Sequence, residues 1–234
     1  MKLALIGYGK MGKMVEVAAT RRSHAVIARL TSQSTAEEWD SLVEADLCIE
    51  FSGPDCLVDN LKRIAPLQKE IVVGTTGWYR HLPFVKQLVH EQHLGLLYSP
   101  NFSVGMQLFL QLIRSAAALV SSFEEYDVAA VEMHHRHKAD VPSGTALAIG
   151  NILEEHMRRS EELPWTSVRC GANPGTHTVL FDSPADVITI SHQARSREAF
   201  ASGAIQAAEW LLGRRGFYTF EDCLQALMER KKNA

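Results

Sequence analysis

Short apolar segments alternate with longer segments of mixed polarity over the first hundred residues, and the apolar ones end at glycine, proline or small hydroxyl residues. Short apolar runs bounded by turn residues are typical of buried strands, and the longer runs between them are typical of helices. The pattern predicts strands over 2–6, 25–30, 47–52, 70–77 and 94–98, and helices over 13–20, 56–65 and 83–92. The polar segment 31–46 leaves little room for a full helix. Alternating strands and helices at this spacing predict a parallel, doubly wound sheet.

The regular alternation of short apolar segments with longer mixed segments ends after residue 103. A helix over 104–121 is apolar on most sides and is expected to be buried. The predicted elements that follow are strands at 126–135, 168–170, 177–181 and 186–192, and helices at 143–158, 199–212 and 220–231. The fold class is therefore α/β. We expect a Rossmann-type parallel sheet from 1–103 and 197–234, and a second α+β domain for substrate binding and oligomerisation from 104–196.

The first predicted strand runs directly into a glycine-rich turn that opens a helix. In a G-x-G-x-x-G pattern the first glycine permits a tight turn, the second lets a pyrophosphate approach the backbone, and the third lets the helix pack on the strand. The helix N-terminus then favours an anion. The turn predicts dinucleotide binding, with an ordinary glycine turn as the alternative. Its residues are Gly7, Tyr8, Gly9, Lys10, Met11 and Gly12.

The end of the second predicted strand bears on which dinucleotide binds. An acidic residue about 20 positions after the glycines would bind the ribose hydroxyls of NADH. Here the segment reads Ala28-Arg29-Leu30-Thr31-Ser32 and carries no acid. Arg29 beside small hydroxyl residues favours a 2′-phosphate and hence NADPH, with a solvated surface arginine as the alternative.

Composition and charge bear on which binding partners and which cellular compartment are expected. The net charge of −3 does not indicate binding to nucleic acid or to anionic membranes. No apolar run is long enough to span a bilayer, and the N-terminus does not resemble a signal peptide. The four cysteines are scattered and form no C-x-x-C pair, so we expect reduced thiols in a cytoplasmic protein.

The segment from Glu132 to Thr145 carries the candidate chemistry. Three histidines, an arginine and a lysine lie between a predicted strand and a predicted helix that Ser143 caps. A histidine can supply a proton near neutral pH, and Lys138 with the helix N-terminus can hold a carboxylate. The pattern predicts a site for an anionic substrate that receives a proton.

Two other interpretations of this segment remain open. His134, His135 and His137 could form a metal site, but the neighbouring Arg136 and Lys138 would repel a cation, so we expect no metal. The segment could also be a basic surface loop without a catalytic role.

The same segment, Glu-x-His-His-Arg-x-Lys-x-Asp-x-Pro-Ser-Gly-Thr-Ala, resembles the signature of the 4-hydroxy-tetrahydrodipicolinate reductase (dihydrodipicolinate reductase) family. The resemblance extends along nearly the whole chain. Further motifs that carry it are Gly7 to Gly12, Glu50 to Pro54, Gly74 to Gly77, Pro100 to Ser103, Arg195 to Arg197 and Phe200 to Ala204.

The resemblance implies roles for individual residues. His134 would be the proton donor and Lys138 the second catalytic residue, while His137 has no assigned role. The substrate would be bound by His135, Ser143, Gly144 and Thr145. Besides the glycine turn and Arg29, the cofactor would be bound by Gly74, Thr75, Thr76, Ser99, Pro100, Asn101 and Phe102.

The implied reaction is reduction of a small cyclic dicarboxylate by NADPH or NADH in lysine and diaminopimelate biosynthesis. The resemblance also implies a homotetramer whose contacts come from the sheet of the second domain. Two departures bear on the cofactor: the acid after the second strand is missing, and the segment between the second and third strands is short. Another two-domain Rossmann oxidoreductase and a non-catalytic NAD(P)-sensing protein remain as alternatives.

Overall fold

The computed structural model describes residues 1–157 and 163–232, with the side chains at 230–232 left aside. The predicted helix end at Arg158 lies outside the described residues. Contacts divide the chain into two compact units. The first comprises Met1–Val104 and the residues from Glu198 onward, and the second comprises Gly105–Arg197.

The first unit is built on a six-stranded sheet in the order β10-β5-β4-β3-β1-β2, and all of its strand pairs are parallel. The strands are β1 (Lys2–Ile6), β2 (Ala25–Leu30), β3 (Leu47–Glu50), β4 (Glu70–Val73), β5 (Gly95–Tyr98) and β10 (Gly216–Thr219). The helices are α1 (Lys10–Arg21), α2 (Ala36–Asp40), α3 (Leu57–Ile64), α4 (Leu82–Glu91), α7 (Glu198–Leu211) and α8 (Phe220–Lys232).

Both faces of this sheet are covered, which explains the continuous apolar runs of its central strands. Leu3 and Leu5 of β1 lie in a core with α1, α7 and α8, whereas Ala4 and Ile6 lie in a second core with α3 and α4. The alternation follows from the two-residue repeat of a strand.

Strand β10 is absent from the sequence prediction. Its four residues, Gly-Phe-Tyr-Thr, are each only half-buried, and it pairs with β5 at the edge of the sheet. So short an edge strand carries too little hydrophobic pattern to distinguish it from a loop. The segment 31–46, predicted to lack a full helix, contains only α2 and a short 3₁₀ turn at Ser41–Glu44.

The second unit is built on a four-stranded mixed sheet in the order β7-β6-β8-β9. Its elements are α5 (Val104–Val120), β6 (Asp127–His134), α6 (Gly144–His156), β7 (Trp165–Arg169), β8 (Thr176–Asp182) and β9 (Val187–Gln193). Strand β7 runs parallel to β6, and the other pairs are antiparallel. Residues from α5 and α6 share one core with Val128, Ala130 and Val179 of the sheet.

The expectation that α5 is buried on most sides is wrong within this unit. One stripe of the helix reaches the core, namely Met106, Phe109, Ile113, Ala117 and Val120. Leu108, Leu112 and Leu119 are exposed by 42%, 58% and 72%. Helical spacing turns these leucines away from the unit's own sheet. No helix in the described part of the chain is long and apolar enough to cross a membrane.

Candidate active site

The glycine turn of the first unit has the geometry that its pattern predicts. Gly7 has a positive φ of 90°, and a Cβ there would lie 2.3 Å from the carbonyl oxygen of Phe51. A Cβ on Gly12 would lie 2.3 Å from the carbonyl oxygen of Gly7. By contrast, nothing lies within 4 Å of a Cβ built on Gly9, the residue that precedes α1. The open space at a helix N-terminus fits the pyrophosphate of a nicotinamide dinucleotide.

Two further predicted cofactor segments follow β4 and β5, so parallel pairing brings them to the same edge of the sheet as the glycine turn. Ligands of open α/β sheets bind at this edge. In the first segment, a Cβ on Gly74 would lie 2.1 Å from the Phe51 ring, Thr75 is buried and Thr76 is exposed.

The second segment is Ser99 to Phe102, in which Pro100 is exposed and Phe102 is 2% exposed. The Ser99 hydroxyl donates to the Asn101 carbonyl at 2.8 Å and accepts from the Asn101 N–H at 3.1 Å. The Phe102 ring packs against Phe51 and Phe220. Phe102 is therefore a core residue that anchors this loop.

Arg29 lies at the end of β2, where its guanidinium is engaged by a carboxylate. Its Nε donates to both carboxylate oxygens of Glu16, at 3.0 and 3.1 Å, and its Nη2 donates to the same group. The Tyr8 hydroxyl donates to Glu16 as well. The pKa of Glu16 is lowered, mainly because Arg29 donates a hydrogen bond to its carboxylate. Sequence reasoning missed Glu16, because only the fold brings α1 beside the end of β2.

In the second unit, strand register assembles a polar row on one face of the sheet. Glu132 and His134 of β6 both point inward, as their alternation predicts. Ser167 of β7 and His177 of β8 lie directly opposite Glu132, and Arg169 of β7 lies opposite His134. Sequence reasoning assigned no role to Ser167, Arg169 or His177, because the sequence does not show which residues pair across strands.

Glu132 is completely buried, and three residues donate hydrogen bonds to its carboxylate. The Ser143 N–H donates at 3.1 Å, the Ser167 hydroxyl at 2.7 Å and the Arg169 guanidinium at 2.8 Å. Burial alone would raise the pKa of Glu132, but hydrogen bonds from Ser143, Arg169 and Ser167 outweigh it and hold that pKa at about 2. Glu132 is therefore a fixed negative charge.

Two buried histidines adjoin this carboxylate. His134 Nδ1 lies 3.4 Å from Glu132 Oε2, and His177 Nε2 lies 3.8 Å from the same oxygen and 3.2 Å from the Ser143 hydroxyl. The two imidazole rings meet edge to face, with centroids 5.1 Å apart. Burial lowers the pKa of His134, with Glu132 opposing the shift, and burial lowers the pKa of His177 to about 4.

The site also contains a possible set of metal ligands. The ligand atoms of Glu132, His134 and His177 lie within 4.8 Å of one another. This set differs from the three histidines that sequence reasoning considered. The Glu132 carboxylate already accepts from two side chains and a backbone N–H, and one of those donors is the cationic Arg169. A cation would have to enter beside that positive charge and compete with these donors.

The other predicted site residues lie in the loop after β6 and at the start of α6. Lys138 Nζ donates to the Asp140 carboxylate at 2.7 and 2.9 Å. Ser143 caps α6, as predicted, by accepting from the Ala146 N–H at 3.1 Å. Gly144 is exposed, and Thr145 is half-buried. His135 is half-buried and its N–H donates to the Asn173 carbonyl, whereas His137 is exposed.

Comparison with known proteins matches both units to one family. Residues 1–102 match the description "Dihydrodipicolinate reductase, N-terminus", and residues 105–224 match "Dihydrodipicolinate reductase, C-terminus". The chain belongs to the dihydrodipicolinate reductase family. The family resemblance predicted from the sequence is therefore confirmed.

Two relatives are both named 4-hydroxy-tetrahydrodipicolinate reductase. The protein of Christiangramia forsetii is 33% identical over 239 residues, which cover 98% of this chain and 100% of that protein. The protein of Thermosipho africanus is 32% identical over 231 residues, which cover 96% of this chain and 98% of that protein.

Among solved structures, the dipicolinate-bound dihydrodipicolinate reductase of Paenisporosarcina sp. TG-14 has a TM-score of 0.76. It is 22% identical, and the match covers 95% of this chain and 99% of that one. Aspartate semialdehyde dehydrogenase II of Vibrio cholerae has a TM-score of 0.56 at 12% identity, with coverage of 90% and 97%. The predicted fold class, a Rossmann-type parallel sheet with a second α+β unit, is confirmed.

Proposed function

We propose that the protein reduces 4-hydroxy-tetrahydrodipicolinate to tetrahydrodipicolinate, with loss of water, in lysine and diaminopimelate biosynthesis. It is an oxidoreductase, and its nicotinamide cofactor is NADPH or NADH. The observation that carries the proposal is that both parts of the reductase family match, over residues 1–102 and 105–224. The glycine turn and the segment from Glu132 to Thr145 supply the residues that such a reaction needs.

The start of α6 and the preceding loop supply the groups for a dicarboxylate. The helix N-terminus at Gly144 and Thr145 presents backbone N–H groups and a favourable dipole to an anion. Lys138 adds a positive charge, and His135 lies at the beginning of the same loop. Because Asp140 accepts from Lys138 in the structure, a substrate carboxylate would replace Asp140 as the partner of this lysine.

The proton in this reaction is assigned to His134. A bound nicotinamide cofactor supplies a hydride from C4 of its ring. Elimination of the 4-hydroxyl with a neighbouring ring hydrogen releases water and leaves a ring double bond. Addition of the hydride to this bond builds electron density on the neighbouring ring atom, and His134 quenches this charge by donating a proton. General acids of this kind contribute about 10²–10⁴ in rate. Lys138 and the helix N-terminus stabilise negative charge on the substrate during the same step.

Steady-state kinetics with the cyclic dicarboxylate and NADPH test these assignments. His134→Gln is expected to lower kcat by about 10²-fold or more, because proton donation is lost while the cofactor residues are unchanged. Lys138→Ala is expected to raise KM for the substrate and to lower kcat as well. Wild-type kcat/KM in either variant would contradict the role given to that residue.

The same experiment separates the alternatives. Another two-domain Rossmann oxidoreductase would act on a different carbonyl substrate and leave the cyclic dicarboxylate unreduced. A non-catalytic NAD(P)-sensing protein would turn over neither substrate, and His134→Gln would leave its cofactor binding unchanged. Activity of the wild-type chain on the cyclic dicarboxylate excludes both.

We also propose a homotetramer in the cytoplasm. Alternate residues of the second unit's sheet point away from α5 and α6, and among these Met133 of β6 and Val187 of β9 are exposed by 39% and 52%. A partly apolar sheet face of this kind is suited to subunit contacts. All four cysteines are free, which is consistent with a reducing compartment.

A further inference from the structure

The buried carboxylate of Glu132 joins two parts of the proposed active site. It lies 3.4 Å from Nδ1 of His134 and accepts from the N–H of Ser143, the residue that caps the substrate-binding end of α6. Ser167 and Arg169 hold the carboxylate from the other side. Glu132 itself is 0% exposed, so it acts on the substrate only through its neighbours.

The two nitrogens of the His134 ring have different surroundings. Nδ1 is buried without a hydrogen-bond partner among the described residues, and Glu132 Oε2 is the carboxylate oxygen 3.4 Å away. Nε2 lies on the side of Gly175, where a Cβ would come within 3.0 Å of it. The N–H of Gly175 donates to the Asn173 side chain, and its carbonyl accepts from Ala194. The Glu132 carboxylate therefore faces Nδ1. Because Gly175 has no side chain, space is left beside Nε2.

We propose that Glu132 is the positioning residue of the proton donor: it holds a proton on Nδ1 of His134, so that Nε2 is the nitrogen that gives its proton to the substrate. This inference rests on the proposed function. In the transfer, the Nε2–H bond of the imidazolium breaks and the proton passes to the substrate. His134 is left neutral with its Nδ1–H directed at Glu132. A buried acceptor beside one ring nitrogen fixes the tautomer of a histidine in this way.

The charge of Glu132 also sets the pH range in which His134 carries a proton. Several ionisable groups face the ring, namely Glu132 of β6, Arg169 of β7, His177 of β8, and Lys138 and Asp140 of the following loop. Burial lowers the pKa of His134, Glu132 and Asp140 raise it, and Lys138 and Arg169 lower it. Loss of the Glu132 charge removes the larger of the two effects that raise this pKa and leaves only Asp140 to oppose Arg169 and Lys138, so the pKa should fall further.

Replacement of the carboxylate provides a kinetic test. Because the donor must be protonated, activity is lost as pH rises through the pKa of His134. Glu132→Gln is expected to move this alkaline limb of kcat/KM to lower pH by about one unit. It should also reduce kcat roughly tenfold or more, since the amide no longer selects one tautomer. Glu132→Asp, which keeps the charge, should retain the limb closer to its wild-type position.

Glu155→Gln is a matched control that removes an exposed carboxylate near the C-terminal end of α6, and its pH profile should match the wild type. A limb that stays at the wild-type pH in Glu132→Gln would overturn the proposal. If the wild-type enzyme itself fails to reduce the cyclic dicarboxylate, the proposed function fails, and the tautomer of His134 still tests the positioning role.

NMR of the ¹⁵N-histidine-labelled wild-type protein measures that tautomer and does not depend on a Glu132 variant. The signals of His134 are those that disappear in His134→Gln. The proposal expects neutral His134 to carry its proton on Nδ1. A neutral Nε2–H tautomer would overturn the proposal, whatever the kinetics of the variants.

Discussion

At the scale of single residues, both cations that the sequence assigns to anionic groups are paired with carboxylates of the protein. Arg29 donates to Glu16, and Lys138 donates to Asp140. Sequence inspection shows the cation but not its partner, because each partner is brought into place by the fold or by the path of a loop. In the proposed roles of these two cations, an incoming phosphate or carboxylate would compete with an internal carboxylate, and that competition would be part of the affinity.

The pair of Arg29 and Glu16 leads to a prediction about cofactor preference. If Arg29 binds the 2′-phosphate, Glu16→Gln should lower KM for NADPH, roughly tenfold, because a charged competitor is removed. Arg29→Ala should raise KM for NADPH, and KM for NADH should change little in either variant. The ratio of the two KM values is the measurement.

Arg22→Ala is a suitable control for this prediction, because Arg22, the residue that follows α1, makes a similar two-point pair with Glu209 of α7. The control should leave the NADPH to NADH ratio unchanged. A ratio that stays at the wild-type value in both Arg29→Ala and Glu16→Gln would remove this pair from the cofactor site.

At the scale of elements, the glycine turn and its helix were predicted from the sequence, whereas β10 and the start of β7 were not. The turn has a local cause: three glycines at fixed spacing between a strand and a helix, of which Gly7 and Gly12 are required by sterics. Strand β10 has no such local cause, since its four half-buried residues are held at the sheet edge by β5. An element that forms because of its tertiary neighbours has little hydrophobic pattern in its own sequence.

The glycines of the turn give a prediction that separates folding from binding. Gly12→Ala should destabilise the first unit by about 1–3 kcal/mol, because its Cβ meets the Gly7 carbonyl oxygen. Gly9→Ala should leave the fold intact, since its φ of −82° suits alanine and nothing lies within 4 Å of the new Cβ. The new methyl should nevertheless weaken dinucleotide binding by roughly tenfold or more, about 1.4 kcal/mol.

Thermal unfolding and cofactor titration measure the two effects. The two alanines serve as controls for each other, because both lie in the same turn and add the same group. If Gly9→Ala bound NADPH as tightly as the wild type, the pyrophosphate would not approach the backbone at Gly9.

At the scale of the whole molecule, the chain forms two compact units with different sheets, one wholly parallel and one mixed. The parallel sheet is covered on both faces, but the mixed sheet has α5 and α6 in its core on one side only. Its other face includes the exposed side chains of Met133 and Val187. This difference is the structural support for assembly through the second unit.

The proposed tetramer predicts a mass of four 26.0 kDa chains by light scattering. Val187→Lys should lower the mass measured for the assembly, because a buried ammonium without a partner is unfavourable at a subunit contact and would dissociate the tetramer. Val43→Lys is a matched control, since Val43 is similarly exposed, at 58%, but lies in the first unit. A monomeric wild-type protein, or unchanged mass in Val187→Lys, would contradict assembly through this face.

The sequence by itself determined the local features: the glycine turn, the cap of α6 at Ser143, and the inward alternation of Glu132 and His134. Each follows from residues that are neighbours along the chain, so their spacing carries the information. Only the tertiary structure decided the partners of these residues, since strand register places His177 and Ser167 opposite Glu132, and helix packing places Glu16 beside Arg29. Residues distant in sequence meet through packing that no single segment encodes, and this packing sets the environment of His134.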